Sequence, residues 1–287
     1  MARSPPSVPS KKPSTRSLTR QSGTFTRSTA GSQSLVRGLD LLRAFLPSVP
    51  ALTNAELAER TGLPRPTISR LTNALVGAGF LVHEAQTGAY RLAPVHLSLG
   101  VAFRQTKSEL ALALPLMRKV AVAEKINVGL STPDGLAMVY LETLRESRGP
   151  VQRQVTAGIR LAIESNSPGH AYLAALDARS RQRILKALEA QHGARWPALR
   201  KDIDKSLASH TRLGYCRSDA IPGMSAIAAG LRAPDRTFYA INFSLSAKDG
   251  DNEPLVQRCA PVLRKLVEDV QRAWDEMARV QAPAGST

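Results

Sequence analysis

The sequence predicts an α+β protein of two domains, a small helical domain closed by a β-hairpin and a larger α/β domain beyond a helical linker. Three observations predict it. A Thr-x-x-Glu capping signal and a Gly turn separate short amphipathic helices before residue 80. Two short apolar runs then flank Gln86-Thr87-Gly88, a turn sequence. Past residue 107, strand-like and helix-like patterns alternate. At roughly 100–200 residues per domain, a chain of 287 residues fits this division.

Residues 1–31 read as a disordered basic tail. Ser, Thr, Pro, Lys and Arg dominate, and Arg3, Lys11, Lys12, Arg16, Arg20 and Arg27 face no acid, giving +6. Such a segment buries too little apolar area to offset its ordering entropy. It is either an arm that tracks phosphates or a passive solvated extension. Residues 32–93 form the small domain. Leu35, Leu39, Leu42 and Phe45 recur at helical spacing, and Pro47 and Pro50 end that helix. Thr53-Asn54-Ala55-Glu56 opens a second helix, which closes at Thr61-Gly62-Leu63.

A third helix starts near Pro64 to Pro66, where a missing N–H costs nothing. Ile68, Leu71 and Leu75 mark its core face, and a step of about 100° per residue puts Pro66, Ser69, Arg70 and Asn73 opposite. With Arg65 and Thr67 in its first turn, that polar and basic face suits base edges and phosphates in a major groove. Phe80 to His83 and Ala89 to Leu92 read as two strands around Gln86-Thr87-Gly88. Helix, helix, turn, helix and hairpin make a winged helix-turn-helix. Gln86, Thr87 and Arg91 of the wing are placed to touch a backbone or minor groove.

Charge alone does not locate a binding face. The formal charge is +16, a balance that suits a polyanion, either nucleic acid or an anionic membrane surface. Residues 32–94 hold only +2 and the remainder +8. Two distant cysteines, Cys216 and Cys259, exclude a disulfide scaffold and a zinc ribbon and fit a reducing cytosol. Uncharged runs such as Ala220 to Leu231 are too short to span a bilayer, and the N-terminus lacks the apolar region of a secretory signal. The expected location is cytoplasmic, without a membrane partner.

Several segments resemble the IclR family of bacterial transcriptional regulators. They are Ser34-Leu35-Val36-Arg37-Gly38-Leu39-Asp40-Leu41-Leu42, Glu56-Leu57-Ala58, Thr61-Gly62-Leu63-Pro64 through Thr67-Ile68-Ser69-Arg70-Leu71, and Thr87-Gly88-Ala89-Tyr90-Arg91-Leu92 running on to Leu99-Gly100. The resemblance extends over about residues 33–280 and is strongest before residue 100. It implies a winged-helix reader of a double-stranded operator, a linker helix over 94–106 and a GAF-like α/β effector-binding domain over 107–281, followed by a disordered 282–287. One winged helix reads few base pairs, so specificity calls for two half-sites and a homo-oligomer.

In the larger domain, Pro94 to Arg104, Leu110 to Glu124 (interrupted or kinked at Pro115), Ile184 to Ala190, Ile203 to Leu213 and Pro254 to Val280 read as helices. Val151 to Val155 alternates, which puts Arg153 on the face of two valines. A buried guanidinium needs an acceptor, either a ligand carboxylate or an internal acid; an exposed edge strand is the other reading. Ser165 to Ala171 opens a helix whose N–H groups favour an anion, although Pro168 removes one donor. Here the family's Gly-Lys-Ala is Gly169-His170-Ala171. Asn242, Ser244 and Ser246 share one strand face, suited to a polar ligand or to solvent. The acid that the resemblance implies near residue 219 is Asp219, or is displaced by Ser218.

With the resemblance, the implied effector set is Arg153, Leu161, Ser167, Pro168, Asp219, Ala226, Ser244 and Ser246, and the implied effector is a small carboxylate. The five histidines are scattered, and no HExxH, GxSxG, Walker or Rossmann pattern stands in a fitting context. The expectation is a regulator rather than an enzyme, with no cofactor and no metal. The alternatives are a constitutive, weakly specific DNA binder and, more remotely, an enzyme acting on a small acid.

Overall fold

The computed structural model describes residues 30–147, 155–247 and 250–281. The basic tail up to Thr29, the Val151–Gln154 part of the alternating segment with Arg153, and the C-terminal 282–287 lie outside the described residues. The chain divides between His96 and Leu97 into two compact units.

In the first unit, α1 (Ala30–Arg43), α2 (Asn54–Thr61) and α3 (Arg65–Gly77) pack beside a sheet of β1 (Ala51–Thr53), β2 (Leu81–Glu84) and β3 (Ala89–Leu92), ordered β1-β3-β2. The capping box forms: Thr53 N donates to Glu56 Oε2 at 2.7 Å, and Glu56 N donates to Thr53 Oγ1 at 3.4 Å. Gly62 closes α2 at φ 67°, a left-handed conformation that a side chain resists. The three-residue strand β1 pairs Leu52 with Tyr90, completing a core of Leu41, Phe45, Leu52, Leu57, Ile68, Leu81 and Tyr90.

The predicted core stripe of α1 holds at Leu42 and Phe45, which pack in the core, and is corrected at Leu35 and Leu39. Leu41 and Phe45 are buried, whereas Leu35 is 65% and Leu39 50% exposed. The helix turns Leu41 inward, and Leu35, Val36 and Leu39 form a second apolar stripe that nothing among the described residues of the unit covers.

In the second unit, six strands form one antiparallel sheet: β4 (Asn127–Asp134), β5 (Ala137–Arg145), β6 (Arg160–Ala162), β7 (Cys216–Ile221), β8 (Met224–Arg232) and β9 (Phe238–Leu245), ordered β6-β5-β4-β9-β8-β7. Helices cover both faces. Helix α4 (Val95–Gln105), within which the chain divides, has no buried residue. Against one face, α5 (Ser108–Glu124) and α9 (Glu253–Gln281) bury Val128, Leu130, Ile227, Tyr239, Ile241 and Phe243. The opposite face receives α6 (Ser167–Ala175), α7 (Ala178–His192) and α8 (Trp196–Leu213) over Met138, Ala228, Phe238 and Ala240. Because alternate residues face opposite sides of a strand, β9 divides its side chains between two cores. Helix α5 runs through Pro115 without ending, a difference from the predicted interruption.

Candidate functional site

The third helix carries the first candidate surface. Proline at its second position fits the opening turn, and Ile68 and Thr72 are buried against the core. The Thr72 hydroxyl lies 3.3 Å from Asn54 Oδ1, so a polar contact rather than an aliphatic one helps lock α3 to α2. Arg65, Pro66, Arg70 and Asn73 are exposed, while Thr67 and Ser69 are half-buried. Ser69 is less free than its helical position predicts, because its Oγ accepts from Asn54 Nδ2 at 3.4 Å. The open part of the face is therefore Arg65, Pro66, Arg70 and Asn73.

In the wing, Gln86 and Thr87 are exposed beside Gly88, which turns at φ 66°. Thr87 Oγ1 donates to Glu84 Oε2 at 3.1 Å. Arg91 is exposed but pairs with the same carboxylate at 2.5 Å, so a phosphate would compete with Glu84 for it.

The second candidate is a cavity on the α6 side of the large sheet. The β9 row Phe238–Ala240–Asn242–Ser244 explains its position. The apolar half of that row packs under the helices, and its polar half is left facing the space beyond them. About 100 Å³ is open to the centre of a water-sized molecule there. Gly129 sits opposite Asn242 across the β4–β9 pair. A Cβ on Gly129 would lie 2.5 Å from Asn242 Oδ1 and 2.6 Å from the Tyr140 ring, so the missing side chain makes room for both polar groups. Asn242 is 3% exposed, and its Oδ1 has no hydrogen-bond partner among the described residues.

Of the predicted effector residues, Leu161, Pro168, Ala226, Ser244 and Ser246 line the cavity. Arg153 lies outside the described residues. Asp219 does not line it; Ser218 and Ala220 do. The physical reason is the strand alternation of β7, which sends Arg217 and Asp219 to the other side. There Asp219 takes Arg217 Nε at 3.0 Å and the Ser225 hydroxyl at 2.5 Å. Ser167 is likewise corrected: it is fully buried and is not a lining residue. The Ser246 hydroxyl donates to Gly223 O at 3.0 Å.

The helix N-terminus is also less open to an anion than its position predicts. Asn166 caps α6, its Oδ1 accepting from Gly169 N at 2.7 Å, and Pro168 has no N–H to give. The loop is anchored from behind. Gly169 lies directly on the turn at Ile163–Ser165, where a Cβ would be 2.2 Å from Ile163 O. Buried Glu164 and partly buried His192 meet at 2.7 Å. His170 is buried and not a lining residue; its Nε2 lies 3.1 Å from Glu164 O, and burial holds its pKa below the ordinary imidazole range.

Sequence reasoning missed Arg145, Asn127, Tyr140 and Thr143, which line the same cavity. Arg145 is the one charged residue among the described lining residues, and it makes no ion pair among them. It ends β5, three residues before a segment outside the described residues. Period-2 alternation singled out Arg153 but could not say which strand end meets which cavity.

The comparisons with known proteins agree with this architecture. The IclR helix-turn-helix domain family matches residues 34–85, and the family of bacterial transcriptional regulator IclR C-terminal domains matches residues 108–272. The HTH-type transcriptional regulator TsaQ1/TsaQ2 of Comamonas testosteroni is 28% identical over 83% of this chain and 87% of its own length. An IclR family transcriptional regulator from Brucella abortus is 32% identical, with a TM-score of 0.75 over 84% of this chain and 91% of that one. An IclR homolog from Microbacterium hydrocarbonoxydans, solved in complex with 4-hydroxybenzoate, shares the fold at 21% identity and a TM-score of 0.65, covering 85% of this chain and 99% of that one. A helix-turn-helix with an exposed basic face and a two-faced sheet with a cavity, matched by the two domain families of this group, show that this chain belongs to the IclR family of bacterial transcriptional regulators.

Proposed function

We propose that this regulator reads a double-stranded operator with its helix-turn-helix, and that a small organic acid bound in the cavity of the second unit shifts its operator affinity. The observation that carries the reading is the chemistry of the cavity: amides and hydroxyls line it together with one exposed cation, Arg145, and no carboxylate is among the described lining residues. A guanidinium beside polar hydrogen-bonding groups suits a carboxylate. The 4-hydroxybenzoate bound by the Microbacterium hydrocarbonoxydans homolog is an acid of that kind.

Self-association is part of the proposal. Leu35, Val36 and Leu39 on α1 are exposed, as are Leu97, Leu99, Val101 and Phe103 on α4. Exposed apolar surface of this kind supports burial against a second copy. Two copies supply two recognition helices for half-sites about one helical turn apart.

Turnover has no part in this reading. Burial pushes the Cys216 thiol up to about 12, so it is not a thiolate at neutral pH, and His170 is sealed away from the cavity. No helix among the described residues is long and apolar enough to cross a membrane. Operator binding sets the place of action in the cytoplasm.

The experiment is Arg70→Ala, tested on a duplex selected from random sequence by the full chain. Loss of one good base contact is expected to weaken specific binding by about 1–3 kcal/mol while leaving binding to unrelated duplex almost unchanged. Footprinting of the parent on the same duplex should show two half-sites. Equal specific affinity of variant and parent would remove this face of α3 as the reader.

A further inference from the structure

Among the described residues, the excess positive charge is not concentrated around the recognition helix. Residues 32–94 carry +2, whereas residues 177–214 carry nine Arg or Lys against four Asp or Glu. Those residues are the helical hairpin of α7 and α8. At about 100° per residue, Arg179, Arg183 and Lys186 fall within an arc of about 60° on α7, and Lys201, Lys205 and Arg212 within about 40° on α8. All six are exposed.

The buried residues lie on the opposite side of each helix: Leu185 and Leu188 on α7, and Trp196, Ile203 and Ser206 on α8. Both cationic rows therefore turn away from the one core that the two helices share. No acid falls within either arc. Asp202 and Asp204 stand on the flanks of the α8 row, Asp204 held by Arg200 at 2.9 Å, and none of the six cations makes an ion pair among the described residues. Like charges at i, i+4 spacing repel and destabilise a helix, so folding gives no reason for the rows. A polyanion would relieve that repulsion.

We propose that this ridge is a second DNA-contacting surface, which takes the phosphate backbone of the duplex flanking the operator without reading its sequence. It rests on the reading of the helix-turn-helix as the operator-binding element. At about 1.5 Å per residue the α8 row spans about 16 Å. That is the rise of about five phosphates along one strand. The flanking duplex is held near the protein by the operator contact, so even weak phosphate contacts count at high effective concentration.

The test uses the full chain and the quadruple variant Arg183→Gln, Lys186→Gln, Lys201→Gln, Lys205→Gln. Two duplexes are compared, one limited to the operator footprint and one extended on both sides by several helical turns of unrelated sequence. The slope of log K against log salt is measured on each. The parent should show a steeper slope on the long duplex, by up to about 0.9 for each additional phosphate that the ridge neutralises.

The variant should show the same shallow slope on both duplexes and bind the short one as the parent does. Lys186→Arg, Lys201→Arg and Lys205→Arg together should keep the steep slope, since they keep the charge. Equal parent slopes on the two duplexes would overturn the proposal, as would a variant that stays steep on the long one or weakens equally on both. An unchanged long-duplex slope, with lost output when the variant is assayed with purified RNA polymerase, would assign the ridge to an acidic protein and also overturn it. Failure of the parent to prefer the selected operator over unrelated duplex would instead sink the operator reading.

Discussion

Gly169→Ala is expected to destabilise the second unit by about 3 kcal/mol, at the upper end of what overpacking usually costs. The added Cβ would meet Ile163 O at 2.2 Å and Ile163 Cα at 2.6 Å. Those atoms are backbone, so no rotamer change relieves the clash; either the turn at Ile163–Ser165 or the start of α6 has to move. Both carry cavity residues, Ser165 on one and Pro168 on the other, with the Asn166 cap between them. Ligand affinity should therefore fall together with stability. In a unit of this size a loss of about 3 kcal/mol lowers the melting temperature by about 6–12 °C. Calorimetry of the full chain, following the transition of the second unit, checks it. An unchanged transition would mean that α6 does not sit on this turn in solution.

Trp274→Ala should cost about 3–5 kcal/mol, the range for deleting a large buried aromatic side chain. Trp274 is fully buried between α9 and the sheet, and its ring meets that of Tyr239 edge-on at 5.1 Å. Its Nε1 donates to Glu109 O at 2.9 Å, which ties α9 to the first turn of α5. Alanine removes the packing and the donor together. Trp274→Phe keeps most of the packing and should cost only about 0.5–1.5 kcal/mol, the net value of the lost hydrogen bond. Equal denaturant midpoints for the parent and the alanine variant would contradict the burial of this ring.

Much of the first unit was legible because its signals are local. The capping box at Thr53 and Glu56, the left-handed Gly62 and the hairpin turn at Gly88 each depend on a few consecutive residues. The direction of α1 was not legible. Its sequence offers two apolar stripes, and only the packing of Leu41 against α3 and the sheet decides which faces inward. The strand β1 escaped because three residues ahead of a capping box carry no period of their own.

In the second unit, alternation put Asn242, Ser244 and Ser246 on one strand face, and all three line the cavity. It could not separate Ser218 from Asp219, since a one-residue change of phase sends a side chain to the other face. The roles of Gly129 and Gly169 are tertiary facts. Each is small because another segment passes close by, and nothing next to either in sequence says so. Arg145 was missed for the same reason: an arginine at a strand end looks like any solvated rim charge until the cavity around it is known.

The central claim is that an acid in the cavity changes what the helix-turn-helix does on DNA. It is tested by measuring operator affinity of the full chain across a panel of small aliphatic and aromatic carboxylic acids, 4-hydroxybenzoate among them, for the parent and for Arg145→Met. A ligand can shift operator binding only if it binds the two DNA-binding states with different affinity. Couplings of this kind are typically about 5–150-fold. The parent should respond to at least one acid by a change in that range. Arg145→Met keeps the apolar stem and drops the charge, so it should bind the operator as the parent does and lose the response. An unresponsive parent, or a variant that responds to the same acid at the same concentration, would contradict the account.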